Sequence, residues 1–401
     1  AQFFVSGVLA VGSYFIYNIY IFKNTEKHFP LQATFALPAA SFTSGAGPRT
    51  MPSKFRVYIG APLVNMRPLL ILKQQLNLPN YTGQKPFRAV YGAMDFSFLA
   101  LTDRPEEADF FLLPHSYFSA RAVAKEYVAH LISLSENYKK KIILFADGDS
   151  DVSIPVPNAI VFRTSQYAHK KAPNEIMMPP QVYAGDVLPN SVFLPRVKRE
   201  KPVVSFCGWA ELGTFGQKAK FFARNIGADF RTHVLRDSYA EVKKQGIYFR
   251  KKAMEALRKS PLVETSFVAR DFFSVNKRTI KLPREILRAG YLENITNSDF
   301  VLAPKGDGNF SIRFYEALAV GRIPVLVDTD CPLPLQKEIN YSACVVRVPH
   351  QKINEIDKYV VDFYNRMDDD AYGEAQKQAR ALFTRSLRLD VFLKDALTKL
   401  F

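Results

Sequence analysis

The sequence predicts an α/β protein with two consecutive sheet-forming units behind an N-terminal transmembrane helix. From Phe55 onward, strand-like segments that are apolar throughout alternate with helical segments, which is typical of parallel sheets covered on both faces. A basic, proline-rich stretch over residues 171–202 interrupts this alternation, and a second series follows it. The 401 residues suffice for two domains and an appendage, at roughly 150 residues per domain.

The appendage is predicted at the N-terminus. Residues 1–22 carry no charged side chain, and a helix of that length spans roughly 33 Å, enough for a bilayer core. A signal peptide would have a shorter apolar region after a positive charge, and a buried helix is the other alternative. We therefore expect a single-pass membrane anchor over residues 1–22 and a stem over residues 23–54, rich in Pro, Ala, Ser, Thr and Gly.

Each globular unit is expected to form its own sheet. For the first unit, residues 55–198, the pattern predicts strands over 55–61, 108–114, 141–147 and 159–163 and helices around 66–77 and 119–139. The second unit, residues 199–351, opens with the strand in PVVSFCGW, and residues 352–401 are mostly helical. The crevice between the sheet ends of two such units is the expected ligand site.

The amino-acid composition indicates which classes of binding partner to expect. The chain has 54 Lys and Arg against 38 Asp and Glu, a formal charge of +16, which favours anionic ligands. It lacks a zinc-finger, an RRM-like aromatic motif or a basic recognition helix, so a nucleic-acid partner is not expected. Three cysteines without a CxxC pair indicate neither a disulfide framework nor a zinc site.

The most informative segment is residues 298–328, in which a buried strand ending at Pro304 leads through a glycine-containing loop into a helix. Glycines let the backbone approach a ligand, and the first turn of a helix offers free N–H groups and the positive end of the helix dipole. Ser311 is placed to cap that helix. The segment thus predicts a phosphate cradle, whose candidate ligands are Lys305, Gly306, Asp307, Asn309 and Ser311.

The helix after this loop carries a charged pair. Arg313 and Glu316 are three residues apart and share one face, whereas Ile312 and Tyr315 are expected to face the sheet. A guanidinium in the cleft can grip a diphosphate bidentately, and a carboxylate there can accept hydrogen bonds from ribose hydroxyls. The alternative is a surface ion pair on an ordinary strand-loop-helix unit. The loop matches neither GxxxxGK[ST] nor GxGxxG.

This segment resembles the exostosin-like family, glycosyltransferase family 47. The family pattern, a strand ending in Pro-x-Gly followed by S-x-R-x-x-E-A-L-x-x-G-x-I-P-V, is matched at Ser298, Phe300, Leu302, Pro304, Gly306, Ser311, Arg313, Glu316, Ala317, Leu318, Gly321, Ile323, Pro324 and Val325. Weaker matches upstream are EADFFLLP at 107–114 and VVSFCGW at 203–209. The stem behind a membrane anchor is also similar to the family's layout.

The resemblance implies a GT-B glycosyltransferase, with two Rossmann-like domains facing a cleft. It implies transfer of a hexose or pentose with inversion, from a nucleotide-sugar, expected to be a UDP-sugar, to a glycan or glycoconjugate acceptor bound mainly by the first domain. No cofactor and no metal ion are expected. Carried onto this chain, Arg313 would bind the diphosphate, Glu316 the ribose, and residues 305–311 the phosphates. A catalytically inactive, glycan-binding relative is the alternative.

The resemblance also implies a Golgi membrane location. Two features favour a cytoplasm-facing domain instead. Lys23 and Lys27 directly follow the apolar segment, and Asn309 of the proposed phosphate loop lies in an N-x-S/T sequon whose glycan would block the site. The compartment is therefore predicted as a membrane, with both orientations open.

An inverting transfer needs a general base, which we expect at a strand end of the first unit. His115 follows the strand FFLLP and is one candidate, with a structural histidine as the alternative. Asp147, Asp149 and Asp151 follow the strand KIILFA, and Asp149 is the chosen second candidate against the alternative of a solvated turn. Arg250 is a further candidate for the diphosphate, with a surface salt bridge as its alternative.

Overall fold

The computed structural model describes residues 54–77, 94–182, 193–272 and 282–401. Six strands of this part form the first sheet: β1 (Phe55–Tyr58), β2 (Leu99–Leu101), β3 (Phe110–Ser116), β4 (Ile142–Ala146), β5 (Ala159–Arg163) and β6 (Glu175–Met177). They run parallel in the order β2-β1-β3-β4-β5-β6. Helices α1 (Tyr117–Val123) and α2 (Lys125–Asn137) follow β3.

Both faces of the first sheet are buried, as its uninterrupted apolar strands predict. Phe110 and Leu112 of β3 pack into one hydrophobic cluster, and the alternate residues Phe111 and Leu113 pack into another. Side chains of α1 and α2 contribute to the second cluster. Alternation at a period of two on a sheet covered twice leaves no polar face, which is why β3 reads as a continuous apolar run.

Five strands of the described part form the second sheet. They and the intervening helices are β7 (Val203–Trp209), α3 (Phe215–His233), α4 (Gly246–Lys259), β8 (Glu264–Arg270), α5 (Arg284–Thr296), β9 (Phe300–Leu302), α6 (Ile312–Ala319), β10 (Ile323–Asp328) and β11 (Val346–Pro349). The strands are parallel in the order β11-β10-β9-β7-β8. The predicted α/β architecture with two parallel sheets is confirmed.

The strand order creates one switch point in each sheet. In the first sheet the chain winds outward from β1 and then from β3 in the opposite direction. In the second sheet the same reversal separates β7 from β9. Loops that leave such a point diverge to opposite faces of the sheet and open a crevice at the carboxyl ends of the strands, where ligands of open α/β sheets bind.

The C-terminal helices connect the two sheets. They are α7 (Ile356–Asn365), α8 (Asp369–Leu382) and, after a π-helical turn, α9 (Leu389–Leu400). Helix α9 returns to the first sheet, where Phe392 and Leu393 join the same hydrophobic cluster as Phe110. The Asp390 carboxylate accepts a hydrogen bond from the backbone N–H of Asp95 at 2.9 Å. The last helix therefore contributes to the hydrophobic core of the first unit, which contains the first sheet.

Three details differ from the predictions. The helix expected around residues 66–77 is absent apart from a 3₁₀ turn, Leu70–Leu72, because Leu69 is extended and its N–H donates to the carbonyl of Pro114 at 2.8 Å. The helix expected over 119–139 breaks at Ala124, whose φ of −147° is not helical. His115 lies inside β3 and not after it.

No helix within the described ranges is long and apolar enough to cross a bilayer. The anchor predicted over residues 1–22 lies outside those ranges, as does nearly all of the stem, and both stay predictions.

The return of α9 yields a prediction about stability. Phe392→Ala empties a fully enclosed site in the cluster shared by α9 and β3, so we expect the free energy of unfolding to fall by about 3–5 kcal/mol. Lys394→Ala, on the exposed side of α9, is the control and should change it by less than about 0.5 kcal/mol. Urea denaturation measures both. Equal, small effects would mean that α9 is not part of this core.

Candidate active site

The carboxyl edges of the two sheets face each other across a cleft. The loop after β4 contacts the loop after β9, where the Asp149 carboxylate accepts a hydrogen bond from the backbone N–H of Gly308 at 3.1 Å. The loop after β5 makes a second contact, in which the hydroxyl of Ser165 accepts from the backbone N–H of Asn309 at 2.9 Å. Loops of both units thus meet where the sequence predicts a ligand crevice between the sheet ends, and the binding of a ligand there stays a prediction.

The loop over residues 305–310 is closed on itself and fitted tightly against the first unit. The backbone N–H of Gly306 donates to the carbonyl of Phe310 at 2.8 Å. A Cβ at Gly308 would lie 2.8 Å from the Cα of Asp149, so only glycine allows this approach. The backbone amides of Gly308 and Asn309, in the loop predicted to lie at the phosphates, thus donate hydrogen bonds to side chains of the first unit.

Asn309 is a structural centre of this contact. Its buried side-chain amide donates to the carbonyls of Gln166, Thr329 and Asp330 at 3.0, 3.2 and 3.1 Å, and the hydroxyl of Thr329 donates to its oxygen at 2.6 Å. A side chain with this many partners is not available to carry a glycan, so the N-x-S/T sequon here does not obstruct the cleft. Its predicted role toward phosphate stays a prediction.

Lys305 lies in the same interface. Its ammonium group donates to the hydroxyl of Tyr167 at 2.9 Å and to the carbonyl of Val242 at 2.6 Å. The side chain is buried, no carboxylate of the described segments contacts it, and burial lowers the pKa of Lys305 to about 7. Lys305 therefore joins three segments of the chain, and its charge near neutral pH depends on what approaches the cleft.

Arg313 lies over the carboxyl end of β7, at the switch point of the second sheet. Its Nη2 donates to the carbonyl of Cys207 at 3.0 Å, and its Cζ lies 4.4 Å from the centroid of the Phe206 ring. Gly208 has a φ of +150°, and a Cβ there would lie 2.9 Å from Nη2 of Arg313. The glycine in the VVSFCGW strand is thus what lets the guanidinium lie on the strand end.

Arg250 of α4 reaches the same strand end. Its Nη1 donates to the carbonyl of Trp209 at 2.9 Å and its Nη2 to that of Lys305 at 3.3 Å. Burial, and then the nearby charge of Arg313, lower the pKa of Arg250 to about 10. Within the described ranges neither arginine forms an ion pair, and the Nε–H of each is buried without a partner. Two neighbouring guanidinium groups that form no ion pair with a described carboxylate are suited to binding an anion.

Glu316 is less open than predicted. Its carboxylate accepts hydrogen bonds from Nη1 of Arg288 at 3.0 Å and from the hydroxyl of Tyr291, both on α5. The Tyr291 ring also lies 5.9 Å from the Cζ of Arg313, so Arg313 and Glu316 do share a helix face, at Tyr291. Burial and the adjacent carboxylate raise the pKa of Tyr291 well above its ordinary value, which keeps the hydroxyl a donor.

Two expectations about the start of α6 are wrong. Ile312 does not face the sheet but is about half exposed, whereas Phe314 and Tyr315 are buried. Ser311 is the N-cap residue of α6, but its side chain makes no hydrogen bond to the first turn. Asp307 is exposed at the tip of the preceding loop, and its charge helps to raise the pKa of Asp149.

His115 occupies the position of a structural histidine. Its Nε2 accepts a hydrogen bond from the backbone N–H of Leu63 at 2.9 Å, and its Nδ1 lies 3.0 Å from the carbonyl of Arg67, to which it donates in this tautomer. The ring is fully buried, and this burial lowers the pKa of His115. With both nitrogens paired, the ring fastens residues 63–67 to β3, which supports the alternative to a catalytic role.

Among the three aspartates after β4, Asp147 has the most unusual surroundings. Its Oδ1 is buried without a hydrogen-bond partner in the described part of the chain, and desolvation raises its pKa. Asp149 is engaged with Gly308, and Asp151 pairs with Lys170 at 2.7 Å. Desolvation raises the pKa of Asp147 and of Asp149, and of the two it is Asp147 that has a carboxylate oxygen without a partner among the described residues.

A buried ion pair that the sequence did not reveal holds these loops. Arg163, at the end of β5, pairs with Glu175 inside the first unit, and both side chains are almost completely enclosed. Arg163 also donates to the carbonyls of Ser150 and Ser165 at 2.6 and 2.8 Å. It therefore fixes the loops after β4 and β5, the two loops that touch residues 305–310.

Metal ligands are not clustered within the described ranges, where no group of three His, Cys, Asp or Glu side chains could hold an ion. The three cysteines, Cys207, Cys331 and Cys344, are buried free thiols.

The described part of the chain is thus an α/β protein with two parallel sheets, and Arg250 and Arg313 lie together at the carboxyl end of β7. Residues 231–363, about a third of the chain, match the model of the exostosin GT47 domain. The resemblance seen in the sequence is thereby confirmed for the part of the chain that carries Arg250, Arg313 and Glu316.

No curated protein matches the chain significantly. Among solved structures, WaaG, a glycosyltransferase involved in lipopolysaccharide biosynthesis, is 12% identical, covers 79% of this chain and 84% of its own, and has a TM-score of 0.29. Anabaena Alr3699/HepE, in complex with UDP and glucose, is 10% identical, covers 86% of this chain and 99% of its own, and has a TM-score of 0.35. Likeness this weak carries no conclusion about the activity of this chain.

The buried amine of Lys305 gives a pH-dependent prediction. Its pKa is about 7 in the folded protein and near 10.5 when unfolded, so between these values the unfolded state binds more protons and stability rises with pH. Lys305→Met removes this contribution. The wild type should therefore gain stability relative to Lys305→Met as the pH rises from about 7 to about 10.5.

Chemical denaturation across this pH window measures the difference. Lys251→Met, which removes an exposed lysine of α4, is the matched control and should show no such slope. A constant difference between Lys305→Met and wild type would mean that Lys305 is fully charged when folded.

Proposed function

We propose that this protein transfers a sugar from a UDP-sugar to a hydroxyl group of a glycan or glycoconjugate, with inversion at the anomeric carbon and without a metal ion. In this proposal the segment over residues 1–22 anchors the enzyme in a membrane. The observation that carries the proposal is the pair Arg250 and Arg313, two guanidinium groups at the switch point of the second sheet that form no ion pair with any described carboxylate. The match of residues 231–363 to the exostosin GT47 domain supports it.

The arginine pair suits a leaving nucleoside diphosphate. Negative charge grows on the diphosphate as the glycosidic bond breaks, and fixed cations that are already in place stabilise it without reorganisation. The backbone carbonyls of Cys207 and Trp209 hold the two guanidinium groups at one strand end. Two positive charges there would take the role that a divalent cation has in metal-dependent transferases.

Asp147 is the proposed general base. An inverting transfer requires a base on the opposite side of the sugar from the leaving group, and the first sheet forms the opposite wall of the cleft. Asp147 directly follows β4, and Asp149, two residues later, touches the loop of the second unit. Desolvation raises the pKa of Asp147, which makes its carboxylate a stronger base than an exposed one.

Arg313→Ala and Arg250→Ala should each weaken UDP binding by roughly ten- to a hundredfold, since a charge-assisted contact is typically worth about 1.5–3 kcal/mol. Arg313→Lys should restore little of the loss, because an ammonium does not reproduce the planar fork of donors. Isothermal titration calorimetry with UDP, beside thermal melting, measures both quantities. Arg385→Ala, an exposed arginine beyond the second sheet, is the control and should bind normally.

Normal UDP affinity in Arg313→Ala and Arg250→Ala would remove the site assignment. A lowered melting temperature with unchanged affinity would make both side chains structural. Binding of UDP without transfer or hydrolysis of any UDP-sugar would favour the glycan-binding relative over the enzyme.

Asp147→Asn should lower turnover by roughly two to four orders of magnitude and leave UDP affinity unchanged, because the amide cannot accept the acceptor's proton. Asp149→Asn is the matched comparison on the same loop and should retain most of the activity. In the wild type, activity should fall as the pH drops below the raised pKa of Asp147. The reverse ranking of the two variants would transfer the base to Asp149.

A further inference from the structure

Helix α3 (Phe215–His233) is held at its ends and along one side, but no residue of it is buried. Its N-terminus is a capping box, in which the hydroxyl of Thr214 accepts from the backbone N–H of Gln217 at 3.2 Å. On its contact side, Asp229 pairs with Lys244 at 2.5 Å. Helix α3 is therefore capped at its N-terminus and held by an ion pair on one side, but it contributes no residue to a hydrophobic core. The rest of its surface is exposed.

The free surface of α3 has an apolar face. Phe215, Phe222, Ile226 and Phe230 follow one another at intervals of seven, four and four residues, which places them on a single stripe of the helix. They are 86, 67, 51 and 54% exposed. Large aromatic side chains with this exposure, aligned on one stripe, mark an interaction surface and not a tolerated scatter of apolar residues.

The opposite face of α3 is basic. Lys220, Arg224 and Arg231 lie about half a turn away from the apolar stripe and are exposed. A helix whose one face is aromatic and whose other face carries Lys and Arg has the composition of helices that lie in the plane of an anionic membrane interface.

A groove of about 810 Å³ adjoins the start of the stripe. Its lining includes Phe215, Phe222, Lys218 and Lys251, together with one acidic residue, Glu211. A lining of apolar side chains with two lysines and one carboxylate suits a ligand that has an apolar part and an anionic group, as a phospholipid has. The groove thus extends the chemistry of the helix to an individual lipid.

We propose that α3 and this groove bind the surface of an anionic lipid bilayer. Charge complementarity favours this occupant over two others. A second copy of the chain, with a formal charge of +16, would bring basic side chains against basic side chains. Residues 1–53 of the chain itself hold three Lys and Arg against one Glu, so they do not neutralise the basic face either.

The contact is independent of the activity and of the anchor predicted over residues 1–22. It follows from the side chains of α3 and of the adjoining groove and would orient the globular part on the bilayer. Because α3 begins six residues after β7 ends, the contact would hold the carboxyl end of β7, and with it the arginine pair, near the membrane surface.

Local hydrogen exchange of the full chain tests the proposal, because overall vesicle binding would also report any insertion of residues 1–22. Exchange is followed by mass spectrometry in peptides covering residues 215–235, with vesicles of phosphatidylcholine alone or with added phosphatidylglycerol. We expect exchange in α3 to slow severalfold with the anionic vesicles and to stay unchanged with the neutral ones.

Two double variants of α3, each with a double control elsewhere, test whether the protection from exchange arises at this helix. Phe222→Asp with Ile226→Asp should abolish the protection, whereas Val64→Asp with Val123→Asp adds the same charge at exposed valines elsewhere and should preserve it. Lys220→Glu with Arg224→Glu should weaken it more than Lys125→Glu with Lys171→Glu, the control for charge at other exposed lysines. All replaced side chains are exposed, so melting temperatures should match the wild type.

Each remaining outcome overturns the proposal. Absent protection, or equal protection by neutral vesicles, excludes an anionic surface as the partner. Protection without vesicles that fades on dilution identifies a second copy. Protection without vesicles that does not depend on concentration identifies another part of the same chain.

Discussion

The arrangement of the candidate active site depends on one constraint, which is that two guanidinium groups lie together at the carboxyl end of β7. Arg250 comes from α4 and Arg313 from α6, and both bind carbonyl groups in residues 207–209. Like charges at short range are unfavourable, and burial adds to the cost, as the lowered pKa of Arg250 reflects. The surroundings must compensate, and they do so with carbonyl dipoles and with the face of the Phe206 ring.

Other elements of the fold position the arginine pair and the opposite wall of the cleft. The strand order of the second sheet places β7 at the switch point, and Gly208 makes room there for a guanidinium. On the opposite wall, the buried Arg163 and Glu175 pair fixes the loops after β4 and β5. Those loops in turn hold residues 305–310. A cation site on one wall and a desolvated carboxyl, Asp147, on the other can serve leaving group and acceptor separately.

Much of this was readable from the sequence. Strands such as FFLLP and IPVLVD are apolar throughout, and that pattern identifies parallel sheets covered twice. Arg313 and Glu316 were found because a helix period puts them on one face. Their partners were not found, because Tyr291 and Arg288 lie on a different helix and only tertiary packing brings them to Glu316.

Other predictions about site residues are affected for the same reason, because residues distant in sequence use the polar groups concerned. The sequence places His115 after a strand as a candidate base. In the structure both its ring nitrogens are used, by the N–H of Leu63 and the carbonyl of Arg67, which are distant in sequence. Residues 305–311 are predicted to lie at the phosphates, yet Asp149 and Ser165 accept hydrogen bonds from the amides of Gly308 and Asn309 in this loop. A local pattern states which groups a loop offers, and only the opposite wall of the cleft decides which of them are already used.

A crystal structure of the full chain with bound UDP tests the central claim most directly, since the claim concerns where the diphosphate lies. The account predicts diphosphate oxygens within hydrogen-bond distance of the guanidinium groups of both Arg250 and Arg313, beside the carboxyl end of β7. A diphosphate bound elsewhere, with neither arginine in contact with it, would contradict the account.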